Sequence, residues 1–296
     1  MINKVEKEIT RLIDECGYDE VTRLFKMLSG GKRLRAKLIL KIAPEHKQAP
    51  LLASIVELIH AASLLHDDVI DEAQTRRGVA SVNATDGSKT AVMLGDVLYS
   101  KAFTELVGFD ADVARTIASS VTSLSKGEMM DVKMAETFNT DEKKYLDMLY
   151  LKTATLIEAS AIASAYLAGK DVQKYATYGR NLGLSFQIID DILDITQDEK
   201  TLGKPALNDF AEGKCTLPYI YLYNELDDKD KERLKSLHLK KLDDEESLWI
   251  KKKMQEFKTV EKSFELAKKL SNEAMLAVKD DAELIAILET MIKRSY

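Results

Sequence analysis

Two acidic clusters carry the clearest chemistry in this sequence, Asp67-Asp68-Val69-Ile70-Asp71 and Asp190-Asp191-Ile192-Leu193-Asp194. Asp67 and Asp71 are four residues apart, so on a helix they share a face with Cβ atoms roughly 5–6 Å apart. Carboxylates that close repel each other unless a cation sits between them. Mg²⁺ suits that position: it takes one or two carboxylates, keeps waters and completes its octahedron with phosphate oxygens. Asp68 points about 100° away around the helix, where it can support the ligands. The second cluster repeats the spacing at Asp190 and Asp194. Both clusters close apolar helical runs, where the helix dipole is already negative. A local conflict of this kind suggests function more than stability. One cluster alone reads as readily as a solvated acidic turn; two, each set in an apolar helix, do not. A carboxylate di-iron bundle would want a pair of inward Glu-x-x-His motifs, and the chain has no such pair.

A metal–diphosphate site also needs cations and donors for the remaining phosphate oxygens. Gly30-Gly31-Lys32-Arg33-Leu34-Arg35 places flexible backbone beside three cations, and the three-residue spacing of Lys32 and Arg35 predicts a shared helix face. Arg76-Arg77-Gly78 follows the first cluster closely enough to reach the same ligand. Lys152-Thr153 lies in an apolar, Ala-rich helix, and Gln187 precedes Asp190 by three and so is expected on its face. Lys204 sits in Gly203-Lys204-Pro205 and Lys214 in Gly213-Lys214-Cys215-Thr216-Leu217-Pro218. His60 lies two turns before Asp67, as a ligand or as a satisfied core residue.

The elements that must position these residues read as helices almost from end to end. From Leu51, apolar residues fall at 51, 52, 55, 58, 59, 62, 65 and 69, the spacing of a helix with a wide buried face. Further runs cover about residues 145–168 and 175–195. No alternating segment has convincing hairpin turns, and Asn-Gly is absent. With 13 Gly and 4 Pro in 296 residues, composition also favours helix. The charged stretch from about Asp227 to Glu261 predicts solvated helices and turns. The net charge of −6 argues against a general nucleic-acid binder. Cys16 and Cys215 match no metal or redox spacing. The charged N-terminus lacks a signal-peptide core, and no run reaches 18 uninterrupted apolar residues. A cytoplasmic protein with no transmembrane segment is expected.

Taken in order, these motifs resemble the trans-isoprenyl diphosphate synthases, or polyprenyl synthetases. The likeness runs from about residue 28 to 220 and more weakly to Lys293-Arg294. It rests on Gly-Gly-Lys-Arg-Leu-Arg, His-Asp-Asp-Val-Ile-Asp, Arg-Arg-Gly, Gly-Asp-Val-Leu at 95–98, Gly-Glu-Met-Met-Asp at 127–131, Lys-Thr, Phe-Gln-Ile-Ile-Asp-Asp-Ile-Leu-Asp and Gly-Lys-x-Thr-Leu-Pro. The family's basic motif usually ends in Pro, where this chain has Ala36, and after Lys204-Pro205 it often has a Gly where this chain has Ala206-Leu207-Asn208.

The resemblance implies an all-α fold: one polyprenyl synthetase domain over 1–296, a bundle of antiparallel helices around a deep central cavity, usually a homodimer. It implies that Asp67, Asp71 and Asp190 bind Mg²⁺, three ions per site with diphosphate bound, supported by Asp68 and Asp194. Arg76, Lys152, Thr153, Gln187, Lys204 and Lys214 would surround an allylic diphosphate, with Lys152 and Lys204 in the catalytic set. Lys32, Arg35, His60 and Arg77 would hold isopentenyl diphosphate. The implied reaction joins isopentenyl diphosphate to a dimethylallyl, geranyl or farnesyl primer, and the all-trans product passes to membrane enzymes. Ala62 and Ser63, one turn before Asp67, are small where bulky residues stop growth in this family. A product longer than farnesyl is therefore expected, with Ile59, Met129, Met130 and Val132 as a deeper floor. The alternatives are a farnesyl or geranylgeranyl synthase, a class I terpene cyclase and a non-catalytic chain-length subunit. The paired DDxxD motifs and the second basic set disfavour the last two.

Overall fold

The computed structural model describes residues 1–28, 31–76, 78–197 and 207–293. These residues form two compact units, Met1–Val121 with Leu156–Ala176, and Thr122–Thr155 with Thr177–Tyr296. The all-α expectation holds except for one hairpin of two-residue strands, β1 (Thr75–Arg76) and β2 (Val79–Ala80), paired antiparallel with Arg76 opposite Val79. Strands that short have no room for the alternation that would announce them in sequence.

The first unit is built on α4 (Ala49–Ile70). Pro50 falls in the first turn of α4, where its missing N–H costs nothing. Helices α1 (Ile2–Asp14), α3 (Leu34–Ile42), α5 (Val82–Asp86) and α6 (Ser88–Leu106) all pack on it. Leu52, Ile55, Val56, Leu58, Ile59 and Leu65 are buried, which is the face that the spacing predicts. Alone among the described residues, α4 is long and apolar enough to cross a bilayer, but 67% of its most apolar stretch is buried inside the protein. That is the signature of a core helix. Between α1 and α3 lies α2 (Asp19–Met27).

Helix α7 (Ala111–Ala135) begins in the first unit and ends in the second. The run predicted as one helix near 145–168 is divided. It forms α8 (Glu142–Leu149), a wider π-helical turn at Tyr150–Ala154, and α9 (Thr155–Ala168). In α9, Ser160 and Ser164 are fully buried and donate to the carbonyls of Leu156 and Ser160, so their hydroxyls need no outside partner. Helix α10 (Val172–Thr196) carries the second aspartate cluster. Beyond it come α11 (Asn208–Ala211) and α12 (Leu217–Glu225).

The charged stretch after residue 227 forms α13 (Asp228–Ser236) and α14 (Asp244–Phe257), capped by Asp227 and Asp243. They are solvated on one side only. Leu234, Ile250 and Met254 are buried in a core with Ile195, Phe210, Tyr219 and Leu222. Helix α15 (Thr259–Ala277) packs on α12 and α14, and α16 (Ala282–Ile292) packs on α15.

Candidate active site

In the first unit, α4 ends on the first cluster: Asp67 and Asp68 lie in its last turn and Asp71 is its C-cap, donating backbone N–H to the Asp67 carbonyl at 2.8 Å. Asp67 is half-buried, Asp71 exposed and Asp68 turned inward at 3% exposure. Asp68 accepts from Arg76 Nε at 2.6 Å. Its backbone carbonyl accepts from Asn83 Nδ2 at 3.3 Å. Burial pushes the Asp68 carboxyl above its usual range against the pull of Arg76. Arg76 thus already has a partner beside the cluster. His66, just before Asp67, lies 3.1 Å from the Val92 carbonyl on α6 and 3.5 Å from Asp96.

The basic motif before α3 departs from expectation. Helix α3 begins at Leu34, and Arg33 adopts the left-handed region at φ 51°, so Lys32 precedes the helix instead of sharing its face with Arg35. Arg33 is a structural ion pair: its guanidinium contacts Glu6 at 2.9 Å and Glu57 at 3.2 Å, and Glu57 also accepts from the Ala36 N–H. Those contacts seat the start of α3 against α4 one turn before His60, which leaves Lys32 exposed and Arg35 half-buried. Ala62 and Ser63 are both buried on α4, and Ser63 donates to the His60 carbonyl at 2.9 Å.

In the second unit, a cavity of about 150 Å³ gathers Asp131, Lys152, Thr153, Gln187, Asp191 and Lys214. Three of the expected diphosphate ligands thus share one wall set with Lys152. Lys152 Nζ is 2.5 Å from Asp131 Oδ2 and 2.9 Å from Glu128 Oε2. Only the Asp131 contact is a hydrogen bond; the buried Glu128 oxygens lack a hydrogen-bond partner and supply charge alone. Burial would lower the Lys152 pKa, but Asp131 and Glu128 together raise it above the usual lysine value, so the ammonium stays charged. Thr153 Oγ1 donates to Gln187 Oε1 at 3.0 Å, and Gln187 Nε2 donates to Asp191 Oδ1 at 2.9 Å. Gln187 therefore also serves Asp191, one turn on.

Asp190 is exposed, while Asp191 and Asp194 are buried. The Tyr145 hydroxyl donates to Asp191 Oδ2. Burial pushes the Asp191 carboxyl up, and nearby Asp209 adds to the shift. Lys214 pairs with Glu212 at 2.9 Å, and His238 Nε2 lies 2.8 Å from the carbonyl of Gly213 just before it.

Tyr145, Glu128, Asp131 and Asp209 have no role assigned from the sequence, although Glu128 and Asp131 stand in the quoted Gly-Glu-Met-Met-Asp motif. For Glu128 and Asp131 a signal exists, since acids three apart share a helix face. Tyr145 has none. Met129 and Val132 are 74% and 45% exposed, which does not suit a cavity floor; Ile59 is fully buried and Met130 half-buried. Arg77 and Lys204 lie outside the described residues. Among the described residues, no three His, Cys, Asp or Glu side chains are grouped to hold a metal ion by themselves.

A model of the polyprenyl synthetase family matches residues 19–277. The chain belongs to the polyprenyl synthetase family. A short chain isoprenyl diphosphate synthase from Methanothermobacter thermautotrophicus is 38% identical over 221 residues, 71% of this chain and 68% of that one. The structure of octaprenyl pyrophosphate synthase from Helicobacter pylori aligns at a TM-score of 0.92 with 42% identity, covering 99% of this chain and 97% of the other. Decaprenyl diphosphate synthase from Rhodobacter capsulatus aligns at 0.93 with 27% identity, covering 100% and 96%. This polyprenyl synthetase is thus a prenyltransferase with the all-α fold of its relatives, and Mg²⁺ dependence is a general feature of the family.

Proposed function

We propose that this polyprenyl synthetase condenses isopentenyl diphosphate with an allylic diphosphate to make an all-trans polyprenyl diphosphate longer than farnesyl. The observation that carries the reading is the cavity where Lys152, Thr153, Gln187 and Lys214 meet beside Asp191. These groups suit the allylic diphosphate, together with Arg76 and Lys204. Lys32, Arg35, His60 and Arg77 suit the second diphosphate.

The donor set fits Mg²⁺. Asp67 and Asp71 offer paired carboxylates one turn apart, and Asp190 offers an exposed one, with Asp68 and Asp194 buried behind. The want of a ready three-acid cage among the described residues suits an ion that takes one or two carboxylates and fills its shell with phosphate oxygens and water. When bound, three such ions would neutralise charge growing on the departing diphosphate.

The chain's own residues supply the rest. Lys152, held charged, faces the leaving group as the allylic C–O bond breaks and its electron pair goes to the diphosphate. Apolar helices keep water from the allylic cation. The isopentenyl double bond then attacks to form the new C–C bond, and a proton is lost to the departing diphosphate.

A product beyond farnesyl is supported by buried, small Ala62 and Ser63 and by the likeness to octaprenyl and decaprenyl synthases. The short-chain relative supports a shorter product as the second reading. The reading further takes residues 1–296 as one functional domain, a homodimer, in the cytoplasm, handing its product to membrane enzymes. Chromatography of products from each primer tests the reaction, and sedimentation tests the dimer. A purified chain that forms no C–C bond with any primer and Mg²⁺ would sink the proposal.

A further inference from the structure

The π-helical turn at Tyr150–Ala154 is gripped from two sides. On α7, a Cβ added at Gly127 would lie 2.3 Å from the Lys152 backbone N and 2.6 Å from the Leu151 carbonyl carbon. On α10, a Cβ added at Gly183 would lie 2.5 Å from Ala154 Cα and 2.7 Å from its Cβ. Neither glycine has a positive φ, so neither is there for its backbone freedom. Each is there because another backbone comes too close for any side chain. The contacted atoms are mainly backbone, which cannot swing aside as a side-chain tip would.

A third tie comes from Tyr145, fully buried on α8, whose hydroxyl donates to Asp191 on α10. Thr153, within the turn, reaches Gln187 on the same helix. Tyr145 and Thr153 are eight residues apart, which on a regular α-helix would set them about 80° apart in direction. The wider turn takes up part of that angle, so both can meet α10. Gln187 closes the chain by donating to Asp191. The glycines therefore leave room for the turn, and Tyr145 fixes its rotation.

We propose that Gly127, Gly183 and Tyr145 are positioning residues that hold this π-turn in the register presenting Lys152 and Thr153 to the allylic diphosphate. Neither glycine has a side chain to reach substrate, and Tyr145, although it lines the same cavity, is buried with its hydroxyl given to Asp191; the three act through the backbone of residues 150–154 and through Asp191. The inference rests on the proposed assignment of Lys152 and Thr153 to that diphosphate.

The test compares wild type with Gly127→Ala, Gly183→Ala and Tyr145→Phe. Each is measured for helical circular dichroism and thermal melting, for steady-state constants with both substrates, and for binding of inorganic diphosphate with Mg²⁺ by calorimetry. We expect folded variants whose kcat falls about tenfold to a hundredfold, as for a misplacement of about 1 Å. We also expect weaker inorganic diphosphate binding, with KM for isopentenyl diphosphate unchanged. A purely structural role would lower the melting temperature and leave that split absent. Folded variants with wild-type kcat and diphosphate affinity overturn the inference. Tyr145→Phe keeps the ring's volume and so decides the matter if an added Cβ prevents folding. A wild-type chain that makes no prenyl product defeats the functional reading instead, while the diphosphate comparison still judges the clamp.

Discussion

Lys152 Nζ lies 2.5 Å from Asp131 Oδ2, on the wall of the cavity that also holds Thr153 and Gln187. An ammonium has three donors. Asp131 takes one and Glu128 adds charge, so the cation is fixed before any diphosphate arrives. Removing Asp131 leaves Lys152 partly buried beside a single carboxylate. We expect Asp131→Ala to cost about 2 kcal/mol of stability in urea titrations and to lower turnover about tenfold or more. A variant equal to wild type in both would show that the pair does not orient Lys152.

The two aspartate clusters should matter for turnover and not for folding. Asp67 is half-buried and Asp190 exposed, so neither supports the core. We expect Asp67→Ala or Asp190→Ala to remove most turnover with the helical spectrum intact. Chelation with EDTA should do the same to wild type, reversibly on adding Mg²⁺. Near-normal kcat in either variant would contradict the roles given to the clusters.

Chain length offers a separate check. Ala62 is fully buried on α4, one turn before Asp67. A phenylalanine there adds bulk where the small pair is proposed to let the chain pass. We expect Ala62→Phe to shorten the longest product by one or more isoprene units, read by chromatography. An unchanged product spectrum would remove Ala62 from the length-setting role.

The two thiols should differ in reactivity. Both cysteines are free. Burial pushes the Cys215 thiol up to about 12, and it raises half-buried Cys16 too. The nucleophile is the thiolate, so a raised pKa keeps the folded thiol protonated and inert. In the unfolded chain the ordinary pKa of about 8.5 applies. Folding therefore disfavours ionisation, and the stability that Cys215 contributes is lost as pH rises above that value. At pH 8 we expect Cys16 to react first with a thiol reagent and Cys215 only on unfolding. Equal rates for the two would contradict the burial.

Much of the site was legible because helix spacing is a simple code. Asp68 turns inward from the cluster at the end of α4, as its direction on a helix implies, and the buried face of α4 follows the apolar positions from Leu51 onward. What stayed hidden depends on contacts distant in sequence or on backbone states without a signature. The π-turn at Lys152 exists because Gly127 and Gly183 admit close neighbours, which no periodicity within residues 145–168 records. Lys32 leaves its expected helix face because Arg33 turns left-handed to reach Glu6 and Glu57. Gln187 pairs with Asp191, its i,i+4 neighbour, a contact that the three-residue spacing to Asp190 does not announce. Asp131 stood in a quoted motif, yet its partner lies 21 residues away on another helix.

The most direct measurement incubates the purified chain with Mg²⁺, labelled isopentenyl diphosphate and each allylic primer, then separates the dephosphorylated products by chain length. We expect a ladder of all-trans polyprenols extending past the farnesyl position. Only cyclised or hydrolysed primer, with no label joined to it, would contradict prenyl-chain elongation outright.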